Sequence, residues 1–194
     1  MAWDVRTLFW MNGHHCVALD AVLYPISYLG EHGLLLAMLV LGTLVGAPRG
    51  RWKEWAAVGV ALLLADRLLF ELVALYGFRE RPFLALDGVR QVGPLWYTSS
   101  FPSGHAHYAW LVSVLLGARR PIWLAALIPF TLLTCYSRPY LGMHYPSDVI
   151  AGSAFGVVSG FAFLAVQRWW REHLAGTPAH VDAPPPPLGH PQSS

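Results

Sequence analysis

The chain has 194 residues, 55% of them hydrophobic and 12% charged, with a mean hydropathy of +0.44. A soluble domain carries about 25% charged residues, so this composition describes an integral membrane protein. A net charge of +2 without any basic block excludes an electrostatic nucleic-acid binder, and Cys16 and Cys135 read as small hydrophobes with no partner spacing.

The first fifteen residues, "MAWDVRTLFWMNGHH", lack a basic start followed by an unbroken apolar core, so no cleavable signal peptide is expected. Apolar stretches then fall at roughly 16–29, 31–47, 54–76, 104–118, 121–136 and 147–170, the first weakened by Asp20 and Pro25. Crossing the hydrocarbon takes about 20 helical residues. The stretches at 104–118 and 121–136 fall short, which sets their polar ends at or below headgroup level. Residues 175–194 are Pro-rich and polar and are expected to form a disordered tail behind a membrane domain of residues 1–174. The expected fold is an all-α integral membrane bundle of six transmembrane helices.

One set of connections holds "APRGRWKE", "ARRP", Arg168 and Arg171, with Arg6 on the same face. Loop Lys and Arg mark the cytoplasmic side. Both termini are therefore expected inside and the long 77–103 loop outside. The Trp-rich ends (Trp52, Trp55, Trp96, Trp169, Trp170) read as interfacial belts, and Arg90 as an interfacial anchor. For His14, His15 and His107 the expectation is a cap or a polar cavity lining. Asp66, Arg67 and Glu71 are intramembrane functional candidates, although Arg67 and Glu71, four apart, can equally pair with each other.

Three polar clusters converge on the outer face: "FRERP" after the third stretch, "PSGH" at the start of the fourth, and "SRPYLGMHYPSD" between the fifth and sixth. Arginine presents a planar fork that matches phosphate oxygens, and two arginines offset a doubly charged headgroup. Ser103 offers a hydroxyl and Gly104 an approachable N–H, both near a helix N-terminus that favours anions. Pro146 suits a first helical position, which puts Asp148 in the first turn. Asp148 can then accept from one nitrogen of His144 and leave the other to attack. His105 remains to protonate a departing alkoxide and later activate water, help worth about 10²–10⁴-fold.

These residues resemble the type 2 phosphatidic acid phosphatase family. Arg81-Pro82 matches the end of its first motif and Pro102–His105 the whole of its second. Ser137-Arg138, five residues, His144, three residues and Asp148 match the third. The resemblance spans about residues 10–172. It implies a metal- and cofactor-independent lipid phosphatase, whose active site the loop charges put at the extracytoplasmic end. It makes His144 the nucleophile, Asp148 its orienter and His105 the acid then base. Arg81, Ser103, Gly104 and Arg138 become the phosphate cradle.

The family's first motif begins with a lysine seven residues before the arginine, and here that position is Ala74. Arg79 is the expected substitute. Arg67 shares the helix face of Ala74, but its side chain is expected to lean the wrong way. Undecaprenyl diphosphate leads the expected substrates, with phosphatidylglycerophosphate and phosphatidate behind it. Two other readings stand beside this one. One is an intramembrane metallohydrolase using His105, His107, His144 and Asp148. The other is a lipid-binding, transport or catalytically impaired relative, for which Ala74 is the best support.

Overall fold

A computed structural model describes residues 2–31 and 51–173, and among these it contains helices and no strands. The helices are α1 (Ala2–Gly13), α2 (Val17–Glu31), α3 (Trp52–Tyr76), the single turn α4 (Pro82–Ala85), α5 (Gly104–Arg119), α6 (Leu124–Tyr140) and α7 (Pro146–His173). A 3-10 turn over Pro121–Trp123 leads into α6. The stretches expected at 16–29, 54–76, 104–118, 121–136 and 147–170 thus correspond to α2, α3, α5, α6 and α7. Most of the stretch at 31–47, and the tail at 175–194, lie outside the described residues. Among the described residues, α7, with 28 residues, is the one helix both long and apolar enough to cross a membrane.

Helices α5 and α7 form the centre. Their contact is set by Gly152, Gly156 and Gly160, spaced one turn apart on α7. A Cβ built on Gly152 would run into the carbonyl oxygen of Ser103, and one on Gly156 into that of His107. On Gly160 it would meet the Val114 side chain at 2.7 Å. Small residues at this spacing let two backbones approach closely, as interfaces between membrane helices favour. Leu111, Val112, Leu115, Leu116, Leu127 and Phe163 fill the adjoining core between α5, α6 and α7.

No apolar stretch marks residues 2–13, yet α1 is a helix with buried Asp4, Leu8 and Asn12. The Asn12 amide donates to the carbonyls of Arg90 and Tyr140, at 2.8 Å each, and its Oδ1 accepts from the Arg90 N–H at 2.8 Å. Arg90 also pairs with Asp20, which accepts from the Tyr140 hydroxyl at 2.7 Å. Arg90 therefore fastens the long loop to α1, α2 and α6 rather than serving only as an anchor at the membrane surface. At the opposite end Trp55 is buried, with the guanidinium groups of Arg119 and Arg171 5.9 and 5.7 Å from its ring. Arg119 also bonds Gln167.

Candidate active site

Residues from α3, the long loop, the start of α5, the end of α6 and the α6–α7 connection surround one cavity of about 480 Å³. Arg81, Gly104, His105, Arg138 and His144 all line it, so three polar clusters separate in sequence do meet at one end of the bundle. Ala74, Arg67, Glu71 and Trp96 line it as well. Trp96 is thus a cavity wall rather than part of a belt.

His144 is buried in the α6–α7 connection, and its tautomer follows from its two partners. A guanidinium only donates and a carbonyl only accepts. The NH1 group of Arg81 lies 3.3 Å from Nε2, and Nδ1 lies 2.7 Å from the Ser100 carbonyl oxygen. Nδ1 therefore carries the proton and Nε2 keeps its lone pair. Burial, together with the positive charges of Arg138 and Arg81, holds the His144 pKa well below the ordinary imidazole value. The ring is neutral and its Nε2 is a free base.

Arg81 is held by more than its charge. Its Nε donates to the Thr98 carbonyl at 3.1 Å, NH1 to the Met143 carbonyl at 3.1 Å, and NH2 to Thr98 Oγ1 at 3.2 Å and the Ser99 carbonyl at 3.3 Å. Arg138, buried at the end of α6, donates to the Ser27 hydroxyl of α2. His105, the second residue of α5, presents an Nε2 with no partner among the described residues. Ser103 lies behind this wall. It is fully buried, its N–H donates to the Asp148 carbonyl at 3.0 Å, and its hydroxyl has no partner among the described residues.

Two expectations are corrected. Asp148 does not accept from His144, since its nearest carboxylate oxygen is 3.9 Å from Nδ1 and Ser100 takes that proton instead. Pro146 does begin α7, and Asp148 in its first turn reaches back to accept from the N-cap Tyr145 N–H at 2.9 Å, one half of a capping box. It also accepts from the Ser100 hydroxyl and from Arg79 NH1 at 2.8 Å. Asp148 thus positions Ser100, whose carbonyl holds His144.

The second correction concerns Arg79, which is not among the residues lining the cavity. Its guanidinium bonds Ser147 at 2.7 Å, Asp148, and Asp4 at 2.7 Å, and lies 3.5 Å from the centroid of the Tyr145 ring. Asp4 also accepts from the N–H and hydroxyl of Ser147, at 2.9 and 2.6 Å. Two carboxylates and a hydroxyl leave Arg79 no fork to offer a phosphate.

His107 is directed away from the cavity as well. Its Nε2 meets Asp66 Oδ2 at 2.9 Å in a buried pair, among Phe70, Tyr108 and Phe155. The ligand set of the metallohydrolase reading is therefore not assembled. Ser100, Asp4, Tyr145 and Ser27 carried no signal in the sequence, because each acts through a backbone group or through a partner far along the chain.

Two buried imidazoles and two buried arginines thus share one cavity at one end of an all-helical bundle. The PAP2 superfamily model matches residues 54–172, and the chain belongs to that family. Undecaprenyl-diphosphatase BcrC of Bacillus subtilis is 31% identical over 154 residues, covering 78% of this chain and 76% of that protein. Decaprenylphosphoryl-5-phosphoribose phosphatase of Mycobacterium tuberculosis is 33% identical over 136 residues, covering 70% and 73%. The crystal structure of LpxE from Aquifex aeolicus superposes with a TM-score of 0.71 at 24% identity, over 85% of this chain and 96% of that one. A phosphatidylglycerolphosphate phosphatase from Bacillus subtilis gives 0.66 at 24%, over 87% and 86%. These two likenesses concern the fold.

Proposed function

We propose that the protein hydrolyses a lipid phosphate or diphosphate through a phosphohistidine. The observation that carries this is the unprotonated Nε2 of His144, held against Arg81 at a cavity that His105 and two arginines share. Nε2 attacks phosphorus, the N–P bond forms, and the bond to the leaving oxygen breaks as His105 gives that oxygen its proton. His105 then takes a proton from water, the hydroxide attacks phosphorus, and inorganic phosphate leaves with His144 restored. Arg81 and Arg138 neutralise the phosphoryl oxygens, and the Gly104 N–H at the start of α5 is a further donor. No step needs a metal or other cofactor.

The leading substrate is a polyprenyl diphosphate such as undecaprenyl diphosphate, ahead of phosphatidylglycerophosphate and phosphatidate. The relative named for undecaprenyl diphosphate supports that order. The membrane domain, residues 1–174, sits in the cytoplasmic membrane with its cavity facing outward and the end of α7 inside; the expectation that both termini lie inside is given up, because Asp4 bonds Arg79 and Ser147 at the cavity end. Arg119 and Arg171 at the far end of the bundle support that orientation.

Radiolabelled substrate, quenched in acid-free conditions, should leave label on His144 in the wild type and none in His144→Ala, with turnover abolished in the variant and insensitive to chelators in the wild type. Unchanged turnover in His144→Ala refutes the scheme.

A further inference from the structure

A single phosphate needs the two arginines beside the histidines, yet a third lines the same cavity. Arg67, Phe70, Glu71, Ala74 and Leu75 form its α3 wall, which runs about 12 Å along the helix axis from residue 67 to residue 75. The truncated side chain of Ala74 supplies no cation there, and Arg79 is bound elsewhere. Arg67 is directed to this wall by its neighbours. Asp66 is pinned to His107 of α5 at 2.9 Å, and Arg67 NH1 then reaches the hydroxyl of the next residue, Tyr108, at 3.2 Å. Glu71 pairs with NH2 from one turn further on, drawing the guanidinium towards the histidine end rather than away from it.

Tyr108 lies three residues beyond His105, about one helical turn deeper in the bundle. Arg67 therefore waits just past the reacting phosphate, where the rest of the substrate must continue towards its hydrocarbon. Unlike the fully buried Asp148, the Arg67 and Glu71 side chains are 56% and 53% exposed, so their pairing can open around a ligand. A lipid monoester places only hydrocarbon at that depth, and a charge pair gains nothing from hydrocarbon. A second anionic group would engage the fork in two hydrogen bonds, with the Tyr108 hydroxyl as a further donor and Glu71 displaced.

We propose that Arg67 and Tyr108 bind a second phosphate lying between the reacting phosphate and the hydrocarbon tail, which makes the enzyme selective for doubly phosphorylated lipids. This rests on the lipid phosphatase reading above and names its substrate class. Two lipids carry that chemistry: a prenyl diphosphate, and a prenylphosphoryl sugar phosphate with a spacer between the phosphates.

The test compares kcat/KM for farnesyl diphosphate and farnesyl monophosphate with the full chain in detergent. The wild type is expected to favour the diphosphate, and Arg67→Gln to lower the ratio of the two values about tenfold or more. Arg67→Lys should restore part of it. Tyr108→Phe, which keeps the ring, should lower the same ratio severalfold and serves where Arg67→Gln fails to fold. An unchanged ratio in Arg67→Gln, or in Tyr108→Phe should the former not fold, overturns the inference. A third arm with a farnesylphosphoryl sugar phosphate distinguishes the two sources, and an Arg67-dependent preference for either supports it. A wild type that hydrolyses none of the three, or a His144→Ala variant that matches it, instead refutes the phosphatase reading beneath.

Discussion

Arg81 donates to Nε2 of His144 at 3.3 Å while the Ser100 carbonyl holds the opposite ring nitrogen at 2.7 Å. The base and the cation that would accompany it to phosphorus are thus in contact before any substrate arrives. A lysine at this position would keep the charge but lose the fork that also engages Thr98, Ser99 and Met143. Arg81→Lys is expected to lower kcat/KM by about 100-fold or more, measured with any accepted lipid phosphate.

The pH dependence has a definite sign. Because the His144 pKa is lowered by burial and then by Arg138 and Arg81, the free ring stays neutral on acidification past the ordinary value of about 6.5. The acid limb of kcat/KM attributable to this group should therefore lie below that value. Stability moves in the same direction for a different reason. Below about pH 6.5 the unfolded chain takes up a proton at His144 that the folded chain refuses, so this group's contribution falls as pH drops. Thermal unfolding between pH 5 and 8 should show a shallower slope in His144→Ala than in the wild type.

Asp148 should behave as a positioning residue with a large structural share. Asp148→Asn leaves half-buried Arg79 short of one of its two carboxylates, a loss of a charged hydrogen bond that costs about 1.5–3 kcal/mol. Unfolding in denaturing detergent should find it less stable than His144→Ala, even though the latter is the more inactive. Equal stability of the two variants would contradict the arrangement.

The α5–α7 contact predicts a sharp contrast between two glycines. Gly156→Val pushes its side chain into the His107 carbonyl and should destabilise by about 1–3 kcal/mol, with activity falling in parallel. Gly13→Ala, with nothing within 4 Å of the new carbon, should be neutral in both assays.

The Asp66–His107 pair fixes the wall that carries Arg67. A double-mutant cycle through Asp66→Leu and His107→Phe should give a coupling energy of about 0.5–3 kcal/mol. The double variant should be more stable than either single one, because neither buried polar partner is then left alone.

Much of this was legible in the chain. Hydropathy marked five of the described helices, and the start of α7 followed from Pro146. The convergence of Arg81, His105, Arg138 and His144 followed from the membrane depth of three polar clusters. Helix α1 was hidden because Asp4, Arg6 and Asn12 break its apolar pattern, and Asp4 and Asn12 do so in order to bind the loop, α6 and α7. The role of Ser100 was invisible for another reason: a carbonyl belongs to every residue, and sequence cannot say which one will face an imidazole. Arg79 and Arg67 exchanged their expected places because a guanidinium goes where carboxylates stand, and Asp4 lies 75 positions from Arg79.

Asp4 accepts from Ser147 across 143 positions of the chain. During vectorial synthesis its carboxylate must therefore wait, hydrated at the bilayer surface, until nearly every helix has been threaded. The bundle can insert early, but the contact that seats α1 against the start of α7 closes only after α7 has been made.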